Sequence, residues 1–295
     1  MPAYRFVTFD VFTERRFGGN PLAVFPDARG LSDADMQALA TEFNLSETTF
    51  VLPPDDPAHT ARVRIFNRTA EMPFAGHPNV GTGFALAQLG RDHDGVMLFE
   101  EIAGLVRVEV ERDGAGAVVR ATIAAPQPLS LGISLEADAI AACAGLQPDD
   151  IVTTAHQPVR ASVGTGFVLA EVSPTALGRA VPDMARFRQV LLETPALAGR
   201  FALYLYSHEG ATIQARMFSP LTGTIEDAAT GSAAAPLAAL RLSMTQDDDA
   251  AYLVHQGVDM GRPSLLHVRA WREPGGIMAS VGGACVPVLS GEAQV

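Results

Sequence analysis

The chain has 295 residues, of which 48% are hydrophobic and 18% charged, and its 33 acidic residues against 21 basic ones leave a net charge of −12. That sign disfavours nucleic acid and anionic membranes as partners. Every basic residue is an arginine, so the chain cannot form a lysine Schiff base, a pyridoxal-phosphate aldimine or a P-loop. The length suits two domains or one large one. Cys143 and Cys285 are too few for a disulfide framework. The start shows no signal-peptide core, and no run approaches the roughly 20 apolar residues of a membrane helix. The expectation is a cytoplasmic, soluble protein.

In chain order, Phe6 to Phe12 alternates and is rich in strand-forming residues. Gly18-Gly19-Asn20-Pro21 interrupts it, and Leu22 to Phe25 predicts a second short strand. Ser32 or Asp33 can cap a helix whose Met36, Leu39 and Phe43 share one face. Arg62 to Phe66 alternates again. Val106–Val110 and Ala117–Ile123, on either side of Asp113-Gly114, predict a hairpin. Ala125 to Ser130, with two prolines, is the best linker. Beyond it the pattern predicts helices near 135–145 and 183–193, and strands near 165–172, 201–206, 212–218, 264–270 and 277–281. Strand-rich segments with interspersed helices indicate an α+β fold.

The chain also echoes itself. Arg64-Ile65-Phe66 precedes a loop, His77 to Gly83 and an Ala/Leu run. Arg216-Met217-Phe218 precedes a loop, Asp227 to Ala233 and a similar run. At an offset of 150, His77 matches Asp227 and Gly81 matches Gly231. Each unit reads as strand, Gly-containing turn and buried helix, which predicts a duplicated architecture. Helix starts after Gly81-Thr82 and Gly231-Ser232 would offer free N–H groups to a substrate carboxylate, with Thr82 and Ser232 as caps. Those two residues are equally compatible with ordinary capping.

His77 and Asp227, at matched positions, form a plausible acid/base arrangement. Taken singly, they also suit a turn histidine and a solvated loop acid. Glu47, beside Ser46 and Thr48 and next to an apolar strand, is a third candidate, with complementing a helix end as the alternative. No His-Glu-x-x-His, paired Cys-x-x-Cys, nucleophile elbow or complete dinucleotide fingerprint occurs, so neither metal nor organic cofactor is expected. Cys143 and Cys285 fall outside the echo, which disfavours a two-thiol racemase.

Five ordered motifs resemble the PhzF-like family, named for the phenazine-biosynthesis isomerase. They are Phe17 to Val24, Asn44 to Thr48, Pro73 to Pro78, Glu226 to Ala233, and Gln256-Gly257 with Met260 to Ser264. The resemblance covers nearly the whole chain. It implies a diaminopimelate epimerase-like fold of two pseudo-symmetric domains, each a sheet or barrel wrapped around a central helix, with the active site in the cleft between them. The domains would span 1–124 and 130–276, and a C-terminal strand at about 277–295 would pack back on the first. The resemblance further implies a cofactor-free isomerase of trans-2,3-dihydro-3-hydroxyanthranilate type, acting as a homodimer on a small carboxylate. Glu47 would be the acid/base, and His77 and Asp227 would hold amine and hydroxyl groups. Asn20, Gly76, Gly81, Thr82, Gly231 and Ser232 would bind the substrate. Ala228, Asn79 and Arg68 depart from the family's usual Pro, Thr and Pro; the latter two border the expected cleft. A racemase of amino-acid-like substrates and a non-catalytic binding protein that kept the fold are the competing functions.

Overall fold

Ser32 accepts a hydrogen bond from the Asp35 backbone N–H, and the Asp35 carboxylate accepts one from the Ser32 N–H. This reciprocal cap starts the first helix at Asp33, one residue past the side chain that satisfies it. The chain is described for residues 2–295 by a computed structural model. It divides into two units, one running to Ala124 and including Val281–Val295, the other Ala125–Ser280.

The first unit contains β1 (Ala3–Val11), β2 (Asn20–Phe25), α1 (Asp33–Phe43), β3 (Glu47–Leu52), β4 (Ala61–Asn67), the short β5 (Glu71–Met72), α2 (Gly76–Gln88), β6 (Val96–Glu101), β7 (Gly104–Arg112) and β8 (Val118–Ala124). β1 pairs antiparallel with β2, and β2 parallel with β3. β3 runs antiparallel to β4, β4 parallel to β6, and the β6–β7–β8 meander is antiparallel.

The second unit contains β9 (Ser130–Ser134), α3 (Ala137–Ala144), β10 (Ile151–Val152), β11 (Val159–Ser162), β12 (Gly166–Val172), α4 (Pro174–Leu177), α5 (Met184–Glu193), β13 (Leu203–Glu209), β14 (Thr212–Ser219), β15 (Thr224–Asp227), α6 (Gly231–Ser243), β16 (Asp249–Gln256), β17 (Ser264–Glu273) and the first residues of β18 (Gly276–Gly283), whose end from Val281 belongs to the first unit. Here β12 is parallel to β13, β13 antiparallel to β14, β14 parallel to β16 and β16 antiparallel to β17. This is the β2–β3–β4–β6–β7 order again. The last strand, β19 (Cys285–Gln294), pairs antiparallel with β1 in the first unit.

In α2 every residue from Gly76 to Ala87 is buried, and α6 is nearly as enclosed. A helix apolar all round belongs inside other elements. Small residues permit that enclosure. A Cβ on Gly81 would come within 2.5 Å of Leu22 and 2.8 Å of Val11, and one on Gly83 within 2.5 Å of Val108. Strands thus press on α2 from two sides. Gly81→Ala is expected to cost about 1–3 kcal/mol through overpacking, read as a lower urea midpoint.

A separate apolar cluster joins α1 to the sheet, with the Phe25 and Phe50 rings stacked at 4.9 Å and Met36 and Ala40 buried among them. In the second unit Phe187 of α5 and Phe201 anchor the corresponding layer at 4.7 Å. Among the described residues, no helix is long and apolar enough to cross a membrane.

The repeat is also chemical. Arg64 grips Glu71 with two hydrogen bonds of 2.7 and 2.6 Å and lies over the Phe66 ring. Arg216 grips Glu226 with two bonds of 2.8 Å and lies over Phe218. Each glutamate stands five residues before its helix start. The structural equivalence is therefore Gly76 with Gly231, which corrects the offset of 150. His77 corresponds to Ser232, not to Asp227. Gly81 and Thr82 are corrected as well: both lie inside α2 and form no N-terminal turn. Thr82 is fully buried, and its hydroxyl lies 2.8 Å from the Thr49 hydroxyl, tying α2 to β3. Glu47 opens a strand and complements no helix end.

Candidate functional site

In the first unit, the parallel pairing of β2 with β3 sets Leu22 beside Glu47. Glu47 shares a face of β3 with Thr49, the face tied to α2, and is half-buried. Gly76 and His77 begin α2 after Ala75, whose side chain offers no cap. His77 is buried, and its Nε2 lies 3.6 Å from Glu47 Oε2. Among the described residues Nε2 has no hydrogen-bond partner, so the bond to the Pro21 backbone belongs to Nδ1, which donates to that carbonyl. Burial drives the His77 pKa down to about 3 against the weaker effect of that bond. The ring is therefore neutral, and its Nε2 lone pair faces Glu47. Asn20, next to Pro21, is also buried.

The β1–β2 loop is held beside these groups. The buried Asp10 carboxylate accepts from the Phe17 N–H at 2.6 Å, and Asp10 is the cross-strand partner of Pro21. Phe12 and Phe17 both carry positive φ, of 66° and 71°, a strained conformation for an aromatic residue.

In the second unit Asp227 ends β15, and Gly231 and Ser232 begin α6 after Thr230. Asp227 Oδ2 accepts a 2.5 Å bond from the Thr230 hydroxyl. Gln256, which is fully buried, holds the turn together. Its amide nitrogen donates to the Asp227 carbonyl and the Thr230 hydroxyl at 2.8 and 3.0 Å. Its carbonyl oxygen accepts from the Thr230 N–H and the Tyr204 hydroxyl at 3.1 and 3.0 Å. Ser264 adds a 2.9 Å bond to the Ala228 carbonyl. Gln256→Leu would strip four bonds from buried groups and is expected to cost about 3 kcal/mol or more, measurable by urea titration.

Of the residues proposed from sequence, Glu47, His77, Gly76 and the Asn20–Pro21 step gather in the first unit, and Asp227, Gly231 and Ser232 in the second. Gly81 and Thr82 serve packing. Sequence reading missed Gln256, Thr230, Tyr204 and Asp10 as organisers. Gln256 lies inside a quoted motif, yet it acts on residues 26 and 29 positions away, which local pattern does not reveal. Among the described residues, no three His, Cys, Asp or Glu side chains gather as a metal-ligating group. Burial pushes the Cys143 thiol up to about 12 and the Cys285 thiol higher still, which keeps both protonated and leaves no thiolate to act as a base.

Residues 9–291 match the family model described as phenazine biosynthesis-like protein. The chain belongs to the PhzF family. It is 41% identical to an uncharacterized isomerase of Mesorhizobium japonicum, over 99% of each chain. It is 38% identical to the trans-2,3-dihydro-3-hydroxyanthranilate isomerase of Pseudomonas aeruginosa, over 90% of each. A PhzF-family phenazine biosynthesis protein of Bacillus anthracis superposes over the whole of both chains with a TM-score of 0.88 at 24% identity, a likeness of fold. PhzF membership accords with the repeat of a strand-enclosed helix in each unit.

Proposed function

We propose that this PhzF-family chain is a cofactor-independent isomerase that moves a proton between carbons of a small cyclic amino or hydroxy acid of trans-2,3-dihydro-3-hydroxyanthranilate type. The observation that carries this reading is the neutral, buried His77, whose bare Nε2 faces Glu47 at 3.6 Å. The 38% identity to an isomerase named for that substrate supports it.

The Glu47 carboxylate takes a proton from a ring C–H, and the electron pair left behind delocalises into the adjoining π system. The resulting carboxylic acid delivers the proton to a different ring carbon, so atoms and charge balance and no redox change occurs. His77 stays neutral and accepts a hydrogen bond from protonated Glu47 or from a substrate amine or hydroxyl. With its pKa near 3 it does not compete for the migrating proton. In the second unit, Asp227 is the group suited to a substrate amine or hydroxyl, and the N–H groups at Gly231, with Ser232, those suited to a carboxylate. These assignments rest on the family resemblance, as do the homodimer and the cytoplasmic location.

The test is proton NMR of trans-2,3-dihydro-3-hydroxyanthranilate with the protein in heavy water. Product formation with deuterium at the receiving carbon is the expected result. Neither turnover nor exchange would remove this substrate and direct the search to related ring acids.

A further inference from the structure

The loop between β1 and β2 displays an aromatic ring outside the core. Among the described residues, Phe17 is the one phenylalanine, tyrosine or tryptophan left exposed, at 70%. The other phenylalanines of this region engage one another: Phe6, Phe25, Phe43, Phe50 and Phe66 form a run of ring contacts, and Phe9 meets Phe84. A single exposed apolar side chain is ordinary; its backbone is what sets Phe17 apart. Its φ of 71° is a left-handed conformation that glycine or asparagine adopts at far less cost than an aromatic residue.

The surroundings do not let that conformation relax. The buried Asp10 carboxylate takes the Phe17 N–H, the Gly18 N–H donates to the Arg15 carbonyl at 3.3 Å, and Arg16 Nε donates to the Pro287 carbonyl at 2.9 Å. Where the loop leaves β1, the Phe12 and Thr13 N–H groups both donate to the Ala284 carbonyl. Gly19 presses so closely on β1 that a Cβ there would fall 2.4 Å from the Val11 carbonyl oxygen. Gly18, Gly19 and Asn20 are therefore buried while the Phe17 ring stands out. Strain that the surroundings hold in place clusters at ligand-contacting segments.

Topology fixes where the ring is displayed. β2 and β3 run parallel, so their first residues, Asn20 and Glu47, lie at the same edge of the sheet. β1 runs antiparallel to β2 and ends at Val11, so the loop of residues 12–19 turns at that edge too. His77, at the start of α2, lies there 3.6 Å from Glu47. A run of contacts leads from Phe17 to the His77 ring: the Phe17 N–H to Asp10, Asp10 across the ladder to Pro21, and the Pro21 backbone to His77. We infer that Phe17 is a specificity-determining residue whose rigidly presented ring lies against the face of a planar ring acid, while the polar groups of the first unit meet that acid's edge. This role rests on reading Glu47 and His77 as the acid/base pair for such a substrate. An aromatic face suits a flat, unsaturated ring better than a puckered saturated one. Contact with a part of the substrate that does not react is made equally before and in the transition state, so it shows in KM and leaves kcat little changed.

The experiment is NMR of the full-length protein, its phenylalanine rings labelled with 13C, together with calorimetric binding. The probes are 3-hydroxyanthranilate, the flat aromatic counterpart of the proposed substrate, and 2-aminocyclohexanecarboxylate, a saturated ring acid. Phe17→Leu assigns the Phe17 signals. Cross-relaxation between the Phe17 ring protons and those of bound 3-hydroxyanthranilate is expected. Phe17→Ala should bind that probe about tenfold more weakly and the saturated acid no more than about twofold more weakly. Phe17→Gly should weaken binding in the same way while its urea midpoint stays at or above the wild-type value, because glycine releases the left-handed strain. Binding of 3-hydroxyanthranilate within about twofold of wild type in Phe17→Ala, or a bound probe without cross-relaxation to Phe17, overturns the proposal. So does a Phe17→Gly midpoint that falls in step with affinity, which would make the ring a packing element. A wild type that does not bind 3-hydroxyanthranilate removes the contact and the substrate class together. Turnover of trans-2,3-dihydro-3-hydroxyanthranilate separates the two otherwise. If the wild type does not turn it over yet holds the probe against Phe17, the isomerase reading falls and the contact stands. If it does turn it over and KM is unchanged in Phe17→Ala, the contact falls and the isomerase reading stands.

Discussion

Glu47→Gln is expected to slow proton transfer by about 10²–10⁴-fold, the usual contribution of a positioned acid/base group, while substrate still binds. Glutamine keeps the shape and the hydrogen-bonding reach of the side chain but cannot accept and return a proton. Two measurements check this together: initial rates of deuterium incorporation, and calorimetric titration with substrate. A variant that exchanges within tenfold of wild type would show that another group carries the proton. Glu47→Asp sharpens the result. It keeps the carboxylate but withdraws it by about one C–C bond, so turnover should fall less than in Glu47→Gln if the carboxylate is the base. Such positional losses grow quickly, since misplacement by about 1 Å can cost on the order of 10²-fold. Because Glu47 is half-buried at the start of a strand, both variants should melt close to the wild type.

Stability should fall on the acid side because of His77. Its folded pKa is about 3 and its ordinary value 6.5, with burial the main cause. Above pH 6.5 neither the folded nor the unfolded state carries this proton, so the residue makes stability no function of pH. Below 6.5 the unfolded chain takes up the proton and the folded one does not, so stability is lost as pH falls, until the folded pKa is reached near 3. By linkage the loss at pH 5 is about 2 kcal/mol. Urea unfolding at pH 7 and pH 5 measures it. In His77→Gln, the difference between those two pH values should shrink by that amount, whatever the variant's stability at pH 7. An unchanged difference would mean that His77 titrates normally in the folded state. Glu101 acts with the opposite sign. Its folded value of about 8 lies above its ordinary 4.5, so stability falls as pH rises between those limits, and Glu101→Gln should remove that alkaline-side decline.

Where a structural element announces itself locally, the chain could be read directly. Helix α1 has an apolar face and a capping serine, and the β7–β8 hairpin has its Asp-Gly turn. Both form because neighbouring residues satisfy one another. The strand residues Arg64 and Arg216 marked the duplication for the same reason, each followed by a phenylalanine two positions on. The start of α2 carried no such mark. Ala75 caps without a side-chain bond, and α2 is buried on every side, so no polar face sets its phase and no capping residue sets its beginning. The pattern therefore placed the turn at Gly81-Thr82, inside the helix.

What the sequence by itself determined was the family, the repeat of an enclosed helix and the candidacy of Glu47, His77 and Asp227. Tertiary structure alone decided that β2 and β3 run parallel and set Leu22 beside Glu47, that Pro21 takes one nitrogen of His77 and bares the other, and that Gln256 holds the Asp227 turn. It also decided that the Glu101 carboxyl is buried near the Asn79 amide, with neither oxygen hydrogen-bonded among the described residues. The physical reason is common to all four. A buried polar group is defined by what can and cannot reach it, and its neighbours arrive from strands and helices far away in the chain.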